Sequence, residues 1–422
     1  SSPAYKSVKD GIQKAKIPDW MKKYFSDLSD AGIGVYPTPF VHQVQALQNA
    51  VQGRDLFVST GTGSGKTECF MWPLMAKLAT EAKDNSDTWK MRGVRTIVMY
   101  PMNALVSDQV SRLRRLIGDP EGKFLNVFRS TCGETVRRPQ FGMYTGRTPY
   151  PGNEPVTSED RKLEKTLARM SFPQTDSEKS FFEALRHEGK IPAKMDMQTF
   201  LEGLHNGRHI PDAEDAELIT RFEMQKFCPD ILITNYSMLE YMLLRPREAK
   251  IWQDTKEWLE ENPSNKLLFV IDEAHMYRGS SGGEVALLIR RLFHKLGITR
   301  DRVQFILTTA SMPDRDQEDK NAVYKFAQEL TAADTTVEFC YLTGEKEQAD
   351  TVELRSIPLQ SFQSADASVF EENERVCFQA LNQFWSGVEG STAPFTDMAS
   401  ACQWMYDNLI AYRPFHTLIS KC

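Results

Sequence analysis

The chain has 422 residues, enough for two or three domains with hydrophobic cores, and its 51 lysine and arginine residues against 57 aspartate and glutamate residues give a net charge of −6. This charge excludes binding of nucleic acid through overall basicity, so any site for a polyanion must be a local basic cleft. Seven scattered cysteines without a Cys-x-x-Cys pair argue against a zinc or iron–sulfur site and predict reduced thiols in an intracellular protein.

The first residues predict helical structure. Residues 1–36 are interpreted as a helical lead-in that ends at GIGVYPTP. The sequence starts at Ser1 without a methionine, so we expect it to be part of a longer protein. It contains no apolar run long enough to span a membrane and no signal peptide, so we expect no membrane contact.

Five short apolar runs predict the strands of one sheet. Each run is rich in β-forming residues, is continuous rather than alternating, and ends in small or polar residues. Such runs are typical of strands that are buried on both faces of a parallel sheet. The runs are DLFVST at 55–60, RTIVMYP at 95–101, PDILITN at 229–235, KLLFVIDE at 266–273 and VQFILTTAS at 303–311.

Amphipathic helices are predicted after the second and the fourth of these runs. Apolar residues recur every three or four positions after the second run, and they are Val106, Val110, Leu113 and Ile117. After the fourth run, GGEVALLIRRLFHKLG places an apolar stripe before Gly297, which we expect to end the helix. The alternation of strands and helices predicts a doubly wound α/β domain with its functional residues at the carboxyl ends of the strands.

Segments outside this alternation divide the chain further. Residues 150–226 are polar, charged and broadly helical, and we interpret them as an insertion. The acidic stretch EDAE at 214–217 argues against DNA contact by this insertion. Two helices are predicted near the end of the chain, around ERVCFQALNQFW and MASACQWMYDNLI. The predicted parts are the lead-in (1–36), the first part of the α/β domain (37–149), the insertion (150–226), the second part of the α/β domain (227–334) and an accessory segment (335–422).

A glycine-rich loop, TGTGSGKT at 60–67, follows the first predicted strand. A strand, a glycine-rich turn and a helix form a nest whose backbone N–H groups and helix dipole attract a phosphate. Gly63 and Gly65 allow the backbone to approach the phosphate closely. Lys66 is predicted to reach the β- and γ-phosphates, and the Thr67 hydroxyl to bind Mg²⁺. The other residues of the predicted nucleotide site are Thr62, Ser64 and Glu68.

Two adjacent carboxylates, Asp272 and Glu273, end the fourth predicted strand in the sequence DEAH. Adjacent carboxylates at a buried strand end are costly unless a cation or a proton transfer uses them. We expect Asp272 to hold Mg²⁺, directly or through water, and Glu273 to polarise the water that attacks the γ-phosphate. His275 is expected to couple this site to a neighbouring element. Taken alone, the acidic pair also fits a solvated turn, and the glycine-rich loop upstream favours the catalytic interpretation.

Together, TGTGSGKT and DEAH resemble the DExH-box ATPases of helicase superfamily 2. FVHQVQA at 40–46 resembles the motif with which this family reads adenine. The resemblance implies that Gln43 binds the adenine edge and that Phe40 stacks on the ring. It also implies a RecA-like α/β fold and the use of ATP with Mg²⁺.

The stretch TAS at the end of the fifth run also fits the family pattern. It stands where the family has Ser-Ala-Thr, a motif that links ATP hydrolysis to movement along a strand. The resemblance therefore implies a coupling role for Thr309 and Ser311.

Three segments resemble the nucleic-acid motifs of the same family. They are YPMNALVSDQVSRLRRL at 100–116, MYTGRT at 143–148 and PDILITNYSMLEYMLLRP at 229–246. Each offers hydroxyls, small side chains or backbone N–H groups to a phosphate, and such contacts follow a backbone without reading bases. Ordinary packing and a common turn are the alternatives for single residues. The predicted contacts are Asn103, Thr145, Gly146, Arg147, Thr234, Asn235, Arg245 and Arg278.

The stretches YPMNALVSDQ, TNYSMLEYMLLRP and DEAHMYRGSSGGEVALLIRRL are similar to the YprA-like branch of helicases, which includes bacterial DNA-repair helicases and large helicases of phage-defence systems. The resemblance covers 40–149 and 227–331. It implies an ATP-dependent helicase or translocase that acts on single-stranded or forked DNA in the bacterial cytoplasm. The 150–226 insertion has no counterpart in the family core and is a candidate site for a protein partner.

Two alternatives stay open at this point. The first is an RNA helicase, because contacts that follow phosphates do not separate DNA from RNA. The second is an ATP-gated clamp that holds DNA and recruits a nuclease or methyltransferase without unwinding.

The sequence also departs from the family. A second RecA-like domain of the family carries Gln-x-x-Gly-Arg-x-Gly-Arg, whose arginines stabilise the transferring phosphate. Residues 312–422 contain no such stretch. We therefore expect the second domain to follow residue 422, and the 422-residue chain to bind ATP but hydrolyse it slowly.

Overall fold

The structure is a computed structural model that describes residues 5–61, 63–152, 155–310, 317–345, 374–386 and 395–412. The strands in these ranges are β1 (Asp55–Ser59), β2 (Thr96–Tyr100), β3 (Phe141–Tyr144), β4 (Glu217–Leu218), β5 (Ile231–Asn235), β6 (Leu267–Ile271), β7 (Val303–Thr309) and β8 (Phe339–Thr343). The α-helices there are α1 (Gly11–Lys14), α2 (Asp19–Asp30), α3 (Val41–Val51), α4 (Glu68–Asp84), α5 (Ser86–Lys90), α6 (Asn103–Leu116), α7 (Lys123–Cys132), α8 (Ser158–Ser171), α9 (Asp176–His187), α10 (Met197–Asn206), α11 (Arg221–Lys226), α12 (Tyr236–Leu244), α13 (Ala249–Glu261), α14 (Ser280–Leu296), α15 (Gln317–Leu330), α16 (Glu374–Ser386) and α17 (Met398–Ala411).

The eight strands of the described part form a parallel sheet in the order β4-β3-β5-β2-β6-β7-β1-β8. At the centre of the sheet, Val98 of β2 pairs with Ile233 of β5 on one side and with Val270 of β6 on the other. The predicted doubly wound parallel sheet is therefore confirmed. Because all of these strands run in the same direction, their carboxyl ends meet at one edge of the sheet.

Both faces of the sheet are covered by helices. Val98 and Val270 belong to a core shared with α2, α3, α4, α6 and α7 on one face. Ile97 and Phe269 point the other way, into a core shared with α12, α13 and α14. Burial on both faces is the physical reason why these strands appear in the sequence as continuous apolar runs.

The two amphipathic helices predicted from the sequence are confirmed as α6 and α14. The apolar residues predicted for the first helix, from Val106 to Ile117, are buried in the core. Gly297 follows α14 in the left-handed conformation, with a φ of 68°, and ends the helix as predicted.

Three strands were not identified in the sequence. The four residues of β3 include Gly142, and β4 has two residues, which lie in the predicted insertion. Strand β8 lies in the segment 335–422 and pairs with β1, so that Cys340 lies opposite Leu56. The boundaries of the predicted parts remain predictions.

The 150–226 segment contains four helices in its described residues, as its composition predicts. Its acidic stretch points inward. Glu214 pairs with Arg129 at 2.8 Å and Glu217 pairs with Arg114 of α6 at 2.7 Å. These carboxylates therefore attach the segment to the α/β unit, and the expectation that the stretch does not contact DNA stays a prediction.

Residues 6–345 form one compact unit. Helices α16 and α17 belong to a second unit, where the backbone N–H of Phe395 donates to Asn382 Oδ1 at 2.9 Å. No helix in the described part of the chain combines the length and the apolar character that a membrane crossing requires.

A buried charge cluster joins α4 to the sheet and to α13. Arg95, at the start of β2, is 0% exposed and its Nη2 lies 2.9 Å from Glu81 Oε1. The same oxygen accepts a hydrogen bond from Trp258 Nε1 at 2.8 Å, and the guanidinium lies over the Trp258 ring. Glu81, together with Asp230 at 3.4 Å from Arg95 Nη1, therefore neutralises a charge that has no access to water.

We predict that Glu81→Ala lowers the free energy of unfolding by about 3 kcal/mol, because it leaves the Arg95 guanidinium buried with less compensation. Urea denaturation of the purified chain measures this change. The matched control is Glu121→Ala, which removes an exposed carboxylate paired with Lys123 and should leave the denaturation midpoint unchanged. Equal midpoints for both variants would show that the cluster does not stabilise the fold.

Candidate active site

The glycine-rich loop connects β1 to α4 at the carboxyl edge of the sheet. The backbone N–H of Thr60 donates to the Thr309 carbonyl at 3.2 Å, and Ser64 Oγ donates to Thr60 Oγ1 at 2.7 Å. Gly63 and Gly65 have φ angles of 77° and 72°. These left-handed conformations favour glycine, which explains two of the glycines in the sequence. Thr62 lies outside the described residues.

Helix α3 holds this loop through side-chain hydrogen bonds to its backbone. The Gln43 amide oxygen accepts from the Phe40 N–H at 2.9 Å, and its nitrogen donates to the Gly65 carbonyl at 3.1 Å. His42 Nε2 donates to the Ser64 carbonyl at 2.9 Å. Burial lowers the pKa of His42, although the hydrogen bond to the Ser64 carbonyl opposes this change. His42 was not among the predicted site residues, although it stands beside Gln43 in the sequence.

The two carboxylates Asp272 and Glu273, here called the acidic box, follow β6 and face the loop. Asp272 Oδ1 accepts hydrogen bonds from the Thr308 hydroxyl and from the Glu273 N–H, the latter at 3.0 Å. Burial raises the pKa of Asp272, and the neighbouring charge of Glu273 raises it further. Glu273 has a φ of 50°, a left-handed conformation that costs a non-glycine residue about 1–2 kcal/mol.

An ion pair joins the loop to the acidic box. Lys66 Nζ lies 3.0 Å from Glu273 Oε1, and both side chains are mostly buried. The second carboxylate oxygen, Oε2, lies 3.3 Å from His275 Nδ1. The same ring nitrogen lies 3.0 Å from Thr309 Oγ1. The predicted catalytic residues and two of the predicted coupling residues are thus adjacent, whereas Ser311 lies outside the described residues.

A cavity of about 270 Å³ opens beside the loop, and Tyr36, Thr67, Glu68 and Arg112 are among the residues that line it. Glu68 Oε1 accepts from Arg112 Nη1 at 3.1 Å. Burial raises the pKa of Glu68, and Arg112 opposes this change. The ring of Phe40, predicted to stack on adenine, stacks on the His42 ring with the two ring centres 5.5 Å apart, and its contact with adenine stays a prediction. Tyr36 is 57% exposed and was missed, because an aromatic residue in the loop YPTP carries no periodic signal.

Six of the eight predicted nucleic-acid residues lie at the ends of β2, β5 and β3, on neighbouring strands of the same edge. Asn103 begins α6, and its Oδ1 accepts from Asn235 Nδ2 at 2.6 Å. Asn235 also caps α12 through a hydrogen bond from the Met238 N–H at 2.8 Å. Gly146 and Arg147 are exposed.

Two of these predicted contacts have buried hydroxyls. Thr234 Oγ1 donates to the Tyr144 carbonyl at 2.7 Å, and Thr145 Oγ1 accepts from the Arg147 N–H at 3.2 Å. The remaining two predicted contacts, Arg245 and Arg278, lie away from these strand ends, and both are exposed. Arg245 stacks on Tyr241 at 4.9 Å, and Arg278 follows the acidic box.

These features define what the site can do chemically. The backbone of Gly63 to Thr67 and the amino end of α4 attract a phosphate chain, and Lys66 supplies a cation beside it. Glu273 places a carboxylate next to that cation, which suits the activation of water. The arrangement therefore fits the binding and hydrolysis of a nucleoside triphosphate.

Comparisons with known proteins agree with this geometry. The profile of the family described as DEAD/DEAH box helicase matches residues 40–147 and 193–319. Druantia protein DruE of Escherichia coli (strain UMEA 4076-1) is 37% identical over 431 residues, which cover 96% of this chain and 23% of DruE. The uncharacterized ATP-dependent helicase MJ1574 of Methanocaldococcus jannaschii is 22% identical over 72% of this chain and 31% of its own length. The chain thus spans less than a third of the length of either relative.

Among solved structures, the DUF1998 helicase MrfA bound to DNA and AMPPNP has a TM-score of 0.42 and 15% sequence identity, over 93% of this chain and 40% of MrfA.

The two loop glycines allow backbone strain to be separated from steric collision. Both have a positive φ, but a methyl group on Gly65 would also collide with the Gln43 amide, whereas one on Gly63 would meet nothing within 4 Å among the described residues. We predict that Gly63→Ala costs about 1 kcal/mol of unfolding free energy and Gly65→Ala about 1–3 kcal/mol more. Urea denaturation measures both values. Equal losses would contradict the contact between α3 and the loop.

Proposed function

Because the chain belongs to the DEAD/DEAH box helicase family, we propose that it is the ATP-hydrolysing part of a DNA helicase or translocase. Membership of this family confirms the resemblance to superfamily 2 helicases. The observation that carries the proposal is the 3.0 Å ion pair between Lys66 and Glu273, because it brings the glycine-rich loop and the acidic box into one site.

ATP is held by the chain in the following way. The backbone N–H groups of the loop and the amino end of α4 bind the phosphates, and Lys66 moves from Glu273 to the β- and γ-phosphates. This movement releases the Glu273 carboxylate, which polarises the attacking water. His275 contacts both Glu273 and Thr309, and it therefore transmits the change to the end of β7.

Thr67 and Asp272 fit the binding of Mg²⁺. Burial raises the pKa of Asp272, and a cation beside this carboxylate stabilises its ionised form. The Thr67 hydroxyl ends the loop one residue before α4. When bound, the ion supplies positive charge that neutralises the phosphate oxygens.

The nucleic acid follows the other half of the same edge. The exposed Gly146 and Arg147 and the paired amides of Asn103 and Asn235 contact the phosphate backbone. Thr145 and Thr234 position these groups, because their own hydroxyls are used in internal hydrogen bonds. The outlying arginines that add charge to this surface are Arg245 and Arg278.

We propose single-stranded or forked DNA as the substrate, in phage defence or DNA repair inside the bacterial cell. The resemblance of YPMNALVSDQ and DEAHMYRGSSGG to YprA-like helicases supports DNA, and the identity to DruE supports the same branch. Stimulation of ATP hydrolysis by single-stranded RNA in place of DNA would assign the motor to RNA. Binding of DNA without strand displacement or translocation would assign it to the clamp alternative.

The 150–226 segment is the proposed site for a protein partner. Helix α9 has no buried residue, and its Phe181 is 59% exposed. An aromatic side chain on such a helix suits a protein interface better than contact with water.

We predict that Glu273→Gln abolishes ATP hydrolysis in the full-length protein and leaves ATP binding intact, because the amide keeps the size of the side chain but cannot polarise water. Steady-state phosphate release measures turnover, and calorimetry measures binding. The wild-type 422-residue chain should bind ATP but turn it over slowly, because its sequence contains no Gln-x-x-Gly-Arg-x-Gly-Arg stretch. Surviving turnover in the full-length variant would exclude Glu273 as the base.

We predict that Arg147→Ala weakens binding of single-stranded DNA and lowers the slope of log affinity against log salt by about 0.7, because one phosphate contact is lost. Fluorescence anisotropy with labelled oligonucleotides of different sequence measures this change. The matched control is Arg169→Ala, which removes an exposed arginine of α8 and should leave binding unchanged. Equal effects of the two substitutions would contradict a binding surface at the end of β3.

A further inference from the structure

One carboxylate oxygen of the proposed nucleotide site is not used by the phosphate chemistry. Glu68 is the first residue of α4 and directly follows the Lys66-Thr67 pair. The residue is 9% exposed, and Arg112 holds its Oε1 at 3.1 Å. Its Oε2 is buried and has no hydrogen-bond partner in the described part of the chain. A buried acceptor without a donor is costly, which suggests that a ligand supplies the donor.

The surroundings of this oxygen indicate which ligand. Glu68 and Tyr36 line the same cavity of about 270 Å³, where the exposed Tyr36 ring offers a flat apolar surface for a base. A methyl group placed on Gly65 would collide with Gln43 Nε2 and lie 3.1 Å from Glu68 Oε2. The side-chain nitrogen of Gln43 and the free oxygen of Glu68 therefore converge on one place beside the loop.

The Gln43 amide and the Glu68 carboxylate together offer one hydrogen-bond donor and one acceptor. The Gln43 oxygen accepts from the Phe40 N–H, and one amide hydrogen goes to the Gly65 carbonyl, which leaves the second hydrogen to donate. An ionised carboxylate can only accept. Adenine presents an acceptor at N7 beside a donor, its 6-amino group, whereas guanine presents two acceptors at N7 and O6. The donor and acceptor pair of the protein thus matches adenine and repels guanine.

We propose that Glu68 selects the nucleobase: its Oε2 accepts a hydrogen bond from the 6-amino group of adenine while Gln43 donates to N7. Arg112 positions the carboxylate by holding the other oxygen. This inference rests on the proposed ATP site and adds the residue that distinguishes ATP from GTP.

The test compares ligands on the wild-type 422-residue chain by calorimetry with Mg²⁺ present. The ligands are ATP, GTP, 2′-deoxy-ATP and purine riboside triphosphate, which lacks the 6-amino group. We expect ATP to bind roughly tenfold to a hundredfold more tightly than GTP or purine riboside triphosphate, because a charged acceptor loses its hydrogen bond with either analogue. We expect 2′-deoxy-ATP to bind as ATP does.

The variant arm uses Glu68→Gln, whose amide can turn to donate to O6 of guanine. The preference for ATP over GTP should fall to within about threefold, while the affinity for purine riboside triphosphate stays at the wild-type value. The matched control is Glu121→Gln, an exposed carboxylate that should keep the full preference.

The outcomes separate this inference from the proposed function. A wild-type chain that binds none of these nucleotides would overturn the proposed function. ATP binding with equal affinity for GTP and purine riboside triphosphate would leave the ATP site intact and overturn the role of Glu68. Loss of affinity for 2′-deoxy-ATP alone would assign the carboxylate to the ribose and would also overturn it.

Discussion

The parallel direction of the strands determines where every functional side chain lies. Because strands that run in one direction end at one edge, the strand direction alone brings residues that are far apart in sequence together there. The strand order places β6, β7 and β1 together; the acidic box follows β6, Thr309 ends β7, and the glycine-rich loop follows β1. Strands β2, β5 and β3 form the neighbouring half, which carries the proposed nucleic-acid contacts. Strand β6 borders β2, so the acidic box lies where the two halves meet.

At that point, two features define the conformation of the acidic box before a ligand binds. Glu273 adopts a left-handed backbone conformation, and its carboxylate pairs with Lys66. Strained backbone at such a position is kept by the surrounding contacts, here the hydrogen bond from the Glu273 N–H to Asp272 and the 3.3 Å approach of the Glu273 carboxylate to His275. A phosphate chain competes with Glu273 for Lys66, so ligand binding and release of the carboxylate are one event. Helix α6 contributes to both halves of the edge, because Asn103 begins it and Arg112 holds Glu68.

Much of this architecture could be predicted from the sequence because burial on both faces leaves continuous apolar runs, and the loop and the acidic box follow such runs directly. The missed strands lack this signal. Strand β3 is interrupted by Gly142, where a side chain would collide with Met224, and β4 contributes two residues. Their pairing depends on neighbours that are distant in sequence, which no local pattern records.

Side-chain direction was harder to predict than position. Phe40 and Tyr36 lie close together in the sequence, and the course of a short loop decides which ring lines the cavity. Thr234 lies at the predicted place at the end of β5, but its hydroxyl is used by the Tyr144 carbonyl of the neighbouring strand. The partner of Glu68 is likewise a residue of α6, Arg112, which the sequence near Glu68 does not indicate.

In the proposed mechanism, phosphate replaces Glu273 as the partner of Lys66. A crystal structure of the chain with Mg²⁺ and a non-hydrolysable ATP analogue tests this most directly. We predict that Lys66 Nζ leaves its position 3.0 Å from Glu273 Oε1 and contacts phosphate oxygens, with Glu273 turned toward water at the γ-phosphate. A bound nucleotide with this ion pair intact would show that phosphate does not replace Glu273.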